Sequence, residues 1–182
     1  WVLEHALSQL AEWCGKGFTG LQLAINLSPK EFDRADLPER LMQRLDAHAV
    51  PADVLDIEIT ENLLMKDAEK NINMVQQLRN SGLRVSIDDF GTRYSSLNYL
   101  RRFPINSIKI DQSFVRDLNP NSNSSTSIIH AISCIARTFG LRILAEGVET
   151  EAQRQLLSGL ACDDMQGFLF SRPLPAAEFE AF

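Results

Sequence analysis

The 182-residue chain has only three cysteines, and none of them forms a C-x-x-C pair. Cys14, Cys134 and Cys162 are odd in number and far apart, which excludes a disulfide framework and a thiolate zinc site and points to a reduced, cytoplasmic setting. Each then reads as a small core hydrophobe. No run of about 18 apolar residues occurs, so no helical membrane span is expected, and no secretory leader is visible. Basic residues are in deficit: 18 Lys and Arg against 24 Asp and Glu give a formal net charge of −6. That balance argues against a surface that coats DNA or RNA, whose affinity comes from neutralising many phosphates. It leaves room for a small phosphate-bearing ligand whose charge is met by metal ions.

The composition is that of a soluble globular domain, 45% hydrophobic and 23% charged, with enough chain for one sizeable core. "WVLEHALSQLAEWCGKG" is helical in period, with Val2, Leu3, Ala6, Leu7, Leu10 and Cys14 on one stripe and Gly15 or Gly17 as a stop. It opens without a cap, so an upstream segment is expected to have been cut away. "LQLAINLSP" alternates as a strand, and a helix follows over about Leu37 to Ala49. "VLDIEITE" alternates again, and a helix from about Asp67 to Asn80 closes at Gly82. Then come "LRVSIDDF", a short helix from about Ser95, and "NSIKIDQSF". The polar "NPNSNSSTS" reads as a loop that caps the helix "SIIHAISCIARTFG". "LRILAEGVE", a helix from about Glu151, "CDDMQGFLFSRP" and a helical start at Pro175 complete the chain.

Six strands alternating with helices predict a parallel sheet, open or closed. In "DIEIT" the residues Leu55, Ile57 and Ile59 share one face, while Asp56, Glu58 and Thr60 share the other. Doubly wound sheets are covered on both faces and read apolar throughout. Polar residues recurring on one face near the strand ends favour instead an α/β TIM-like (β/α) barrel that opens into a site at that end.

Those strand ends supply Asn26, Glu58, Asp88 with Asp89, Lys109 with Asp111, Glu146 and Gln166. Singly, each has a plainer explanation. Asn26 before Ser-Pro suits a turn cap, Lys109 can reach solvent, and Glu149 fits the capping region of the next helix. Together, carboxylates from three strands at one mouth would repel and raise each other's pKa unless a cation sat between them. Oxygen ligands suit Mg²⁺ or Mn²⁺ rather than zinc. Adjacent aspartates can serve two ions about 3.5–4 Å apart, the spacing of two-metal phosphoester hydrolysis. A lysine among them has a partner, and a role at the phosphate or the attacking water.

In this order, "INLSP", "IEITE", "IDDFGT-YSSL", "IKID", "AEGVET" and "QGFLFSRP" resemble the EAL-domain family, the cyclic di-GMP phosphodiesterases of bacterial signalling, from about residue 1 to the end. The resemblance implies hydrolysis of one phosphodiester of cyclic di-GMP to linear pGpG with Mg²⁺ or Mn²⁺. It also implies cyclic di-GMP as partner, accompanying signalling domains and, often, a homodimer, but no DNA or RNA polymer. Asn26, Glu58 and Asp88 match the family's metal ligands, and Asp89 matches a ligand of the second metal. Glu146 matches a further acid at the metal site. Lys109 matches the lysine that contacts or orients the hydrolytic water, with Asp111 close by, and Gln166 matches a glutamine of the catalytic centre. Glu61 matches a glutamate that holds the loop after the two aspartates rather than touching metal.

Two features depart from the family pattern. The Glu-Ala-Leu motif of an early strand is absent, so an incomplete barrel is expected, with about six of eight strands in a single N-terminally truncated domain over residues 1–182. Arg93 stands where the family usually has glycine, at a point where φ > 0 is easy for glycine and poor for arginine. Either Arg93 displaces the loop beside the second metal, or the loop accepts a side chain turned to solvent. The alternative function is a catalytically degenerate domain that acts as a cyclic di-GMP receptor or protein-interaction module. A barrel of unrelated chemistry is a third reading.

Overall fold

The computed structural model describes residues 1–92, 97–118 and 123–181. Arg93 therefore lies outside the described residues, as does the first part of "NPNSNSSTS". The chain gathers into two compact units, Trp1–Ser86 with Ser96–Ile105, and Ile87–Ser95 with Asn106–Phe182. The first holds α1 (Val2–Gly15), β1 (Leu23–Asn26), α2 (Pro29–Phe32), α3 (Leu37–Ala47), β2 (Leu55–Thr60), α4 (Glu61–Lys66), α5 (Ala68–Asn80), the start of β3 (Arg84–Phe90) and α6 (Leu97–Leu100). The second holds the end of β3, then β4 (Ser107–Ile110), α7 (Gln112–Arg116), α8 (Asn123–Thr138), β5 (Arg142–Ala145), α9 (Glu151–Gly159), β6 (Asp164–Met165) and α10 (Ala176–Phe179). The strands take the sheet order β1 to β6, and the pairs β1–β2, β4–β5 and β5–β6 are parallel. This is the expected TIM-like (β/α) class, with six strands among the described residues.

In the first unit, strand periodicity sets the core. Leu55, Ile57 and Ile59 of β2 are fully buried on one face, as side chains two residues apart must share a side. α4 packs on β2 and α5 on α4, with Leu64, Val75 and Leu78 buried. α5 ends as expected: Gly82 has φ +86 and its N–H donates to the Arg79 carbonyl at 3.0 Å. α1 buries only Leu7 and Leu10. Val2 and Cys14 are exposed, so the apolar stripe is narrower than expected.

In the second unit, Ile108 and Ile110 of β4 and Ile143 and Ala145 of β5 are buried, beneath Ile129, Ile132 and Ala136 of α8. α8 begins at Asn123, so residues expected in a capping loop are its first turn. Ser125 is already buried there, and packing has overridden the weak preference of serine for turns. α9 is closed by the capping box Thr150-x-x-Gln153. Among the described residues, no helix is long and apolar enough to cross a membrane.

The cysteines correct a further expectation. Cys14 and Cys134 are exposed and only Cys162 is half-buried, so they are not three core residues. Cys134 sits one turn from His130 on an outward part of α8, with its sulfur 3.8 Å from the ring Nε2.

Candidate metal centre

In the second unit, three strand ends bring charge together. Lys109 of β4 is only 4% exposed, so it does not reach solvent. Its Nζ lies 2.7 Å from Glu146 Oε1, just past β5, and 3.2 Å from Asp88 Oδ1 on β3. Asp89 completes the group: Asp88, Asp89 and Glu146 can each place one carboxylate oxygen within 4.8 Å of the others. Consecutive residues of a flat strand point to opposite faces. Asp89 escapes that rule with φ +55, a left-handed conformation that aspartate tolerates better than most residues. The Thr92 hydroxyl donates to the Asp89 carbonyl at 2.9 Å and closes this turn.

Burial pushes the Asp89 carboxyl above its ordinary pKa, and the negative charges of Asp88 and then Asp111 add to the effect, against the opposing pull of Lys109. Asp111 also caps α7: its Oδ1 accepts from the Ser113 N–H at 2.9 Å and from the Ser113 hydroxyl. Gln166 follows β6. Its N–H donates to the Ala145 carbonyl at 2.9 Å, and its own carbonyl accepts from Val148 N–H at 3.0 Å. With Gln112, Glu146, Glu149 and Phe168 it lines a cleft of about 250 Å³.

In the first unit the parallel register sets Asn26 opposite Glu58. The Asn26 amide donates to Glu58 Oε2 at 3.0 Å, and the Leu27 N–H donates to the Glu58 carbonyl at the same distance. Glu58 is buried and Asn26 exposed. Asn26 is thus tied to Glu58, while Ser28 takes the capping role, at the start of α2. Glu61 is buried at the start of α4. The loop it was expected to hold runs into the residues outside the description. Below Glu58 on the same face, Asp56 accepts from the Ser86 hydroxyl at 2.6 Å.

Glu149 answers to its plainer explanation in part, because its N–H donates to the Gln153 side chain of the capping box. It also lines the cleft, as do Gln112 and Phe168, which were not singled out from sequence. Gln112 directly follows Asp111, and Phe168 lies within "QGFLF", so position next to a motif was the available signal.

The donor set of the second unit fits a hard divalent cation. Among the described residues, three carboxylates gather around one buried ammonium. The Oδ1 of Asp88 is buried and, although near Nζ, receives no well-angled hydrogen bond. Oxygen-only donors suit Mg²⁺, Mn²⁺ or Ca²⁺ over softer ions.

A TIM-like α/β fold with acids at the ends of its parallel strands defines the class, and comparison with known proteins narrows it. The pattern of the family described as the EAL domain matches residues 1–173, and the chain belongs to that family. The bifunctional diguanylate cyclase/cyclic di-GMP phosphodiesterase MucR of Pseudomonas aeruginosa is 41% identical over 181 residues, covering 100% of this chain and 26% of that protein. The solved structure of PaMucR phosphodiesterase in complex with c-di-GMP superposes with a TM-score of 0.93 at 41% identity, over 98% of this chain and 72% of that one. A manganese/cy-diGMP complex of Klebsiella pneumoniae BlrP1 gives a TM-score of 0.82 at 34% identity, over 94% of this chain and 44% of that one. The chain spans about a quarter of the length of curated relatives such as MucR.

Proposed function

We propose that this chain carries metal-dependent hydrolysis of cyclic di-GMP to linear pGpG. The observation that carries the reading is the convergence of Asp88, Asp89 and Glu146 beside the buried Lys109. Its relatives support it: the chain is 41% identical to a protein named as a cyclic di-GMP phosphodiesterase. A related chain has been solved with manganese and the dinucleotide, which favours Mn²⁺, with Mg²⁺ as the other candidate.

In this reading Asn26, Glu58, Asp88 and Asp89 act as metal ligands, and Glu146 contributes as a further acid. Bound divalent ions would lower the pKa of water and offset charge on the phosphoryl oxygens. Lys109 orients the attacking water, and Glu146 and Asp88 fix the ammonium for that task. Asp111 stays close to Lys109 on the cap of α7. Gln166 faces the cleft beside Glu146 and contacts substrate there. Water oxygen bonds to phosphorus and gives up a proton, the ester P–O bond breaks, and the departing sugar oxygen takes up a proton from solvent. The substrate's two phosphates and the acidic chain suit each other only through cations. Further signalling domains belong to the same proposal, since the curated relatives are several times longer, and a homodimer rests on the family resemblance alone.

The test is incubation of the 182-residue chain with cyclic di-GMP and Mn²⁺ or Mg²⁺, with pGpG followed by chromatography. Product that vanishes on chelation is the expected result. Tight binding of the dinucleotide with no pGpG under either metal would overturn the hydrolase reading in favour of a receptor.

A further inference from the structure

Gln153 lies in the first turn of α9 and uses its backbone N–H and both ends of its side-chain amide. Its backbone N–H donates to Thr150 Oγ1 at 3.2 Å. Its Oε1 accepts from the N–H groups of Glu149 and Thr150 at 2.8 and 2.9 Å. A capping box needs no more than this. Yet Nε2 also donates to the carbonyl of Val115 at 3.1 Å, 38 residues away in sequence. Val115 belongs to α7, the five-residue helix that Asp111 caps.

The segment that carries Glu146 therefore meets α7 twice. At Gly147, with φ +69, the backbone comes so close that a Cβ would lie 2.7 Å from Gln112 Cβ. Three residues on, the segment is tied to α7 through the Gln153 amide. On its other sides, Glu146 N–H donates to the Ile110 carbonyl at 3.1 Å and Val148 N–H to the Gln166 carbonyl at 3.0 Å. The contacts at Glu146, Gly147 and Val148 fix the backbone within two residues of Glu146, and the Gln153 tie extends that hold to Glu149 and Thr150, while the Glu146 carboxylate meets Lys109 at 2.7 Å.

We infer that Gln153 is a positioning residue for the metal centre: its Nε2 bond to Val115 locks the Glu146 segment onto the helix that Asp111 caps, and so sets Glu146 against Lys109. The inference rests on the proposed function for its catalytic consequence, but not for its structural one. Hydrogen-bonded groups that orient acids at a metal site weaken affinity or activity about 10–100-fold when removed.

The informative variant is Gln153→Glu. Glutamate is a preferred third residue of a capping box, so it keeps acceptor oxygens for the Glu149 and Thr150 N–H groups. It loses the donor and sets a carboxylate against the Val115 carbonyl. The cap stays and the bridge goes. In Gln153→Ala both go.

Three readouts are taken on the 182-residue chain: amide exchange, Mn²⁺ affinity by electron paramagnetic resonance, and kcat with KM for cyclic di-GMP. In Gln153→Glu, exchange is expected to quicken at least tenfold in residues 112–116 and 146–150 and to stay unchanged in α5. Mn²⁺ affinity and kcat are expected to fall about tenfold with KM held. If Gln153→Glu matches the wild type in exchange and Mn²⁺ affinity while Gln153→Ala does not, Gln153 is only a cap and the inference is overturned. If the wild type makes no pGpG, the proposed function fails, and the exchange comparison still decides the positioning role.

Discussion

In the first unit a buried carboxylate meets a neutral amide, whereas in the second two carboxylates meet one buried ammonium. Glu58 accepts a hydrogen bond of 3.0 Å from an exposed asparagine. Asp88 and Glu146 share Lys109, which is withdrawn almost wholly from water. The same element type, a short parallel strand ending in an acid, therefore supports two electrostatic regimes. An amide partner leaves the charge of Glu58 in place for a cation to use, and its loss forfeits one hydrogen bond. A lysine partner offsets the charge, and its loss strands two acids in a poor solvent. The comparison teaches that equal-looking strand ends are unequal in what they contribute to stability.

The largest effect that could break the comparison is on turnover. Asp88→Ala in the second unit and Glu58→Ala in the first each remove a proposed ligand, and both should abolish pGpG formation. Near-normal turnover in either would sink that assignment and leave one unit alone responsible for metal. Next in size is Lys109→Met, a buried swap of similar length. Removing one partner of a buried ion pair costs about 3–5 kcal/mol, so the urea midpoint of the metal-free chain should drop sharply. Mn²⁺ should restore part of the loss, because a cation can stand in for the missing charge. A midpoint that does not move would show that Lys109 contributes nothing to the fold. Asn26→Ala should cost only about 1 kcal/mol, the worth of an ordinary hydrogen bond, read in the same urea titration. A loss as large as that of Lys109→Met would erase the distinction between the units.

What the sequence disclosed follows the same division between local and long-range physics. β2 was legible because Leu55, Ile57 and Ile59 alternate with polar residues and all three are buried, and α9 because a helix was expected from about Glu151, where the structure starts it. The polar residues at the strand ends were legible for the same reason. Three things were not. The short α4 and α7 span too few residues for a helical period to register. Asp89 joins Asp88 through a positive φ that no hydrophobic pattern encodes. The Gln153 bridge to Val115 joins residues that only the tertiary fold brings together. The polar start of α8 misled because serine and asparagine signal caps, while burial of Ser125 and the apolar residues after it decided the outcome.

The smallest expected effect separates the half-buried thiol of the second unit from the exposed thiol in each unit by pH. Burial, with the nearby charge of Asp163, pushes the Cys162 thiol up to about 11. Cys14 in the first unit and Cys134 in the second are exposed. Since the thiolate is the reactive form, Cys14 and Cys134 should label quickly with a disulfide reagent at neutral pH and Cys162 should lag until the chain unfolds. The sign for stability follows from the same shift. The folded state holds the Cys162 proton more tightly than the unfolded chain does, so this contribution is complete below the ordinary thiol pKa of about 8.5. It is lost as pH rises towards 11. Cys162→Ser should therefore flatten the decline in urea midpoint over that alkaline window, and three equally fast thiols at neutral pH would show that Cys162 is not held in a desolvated setting at all.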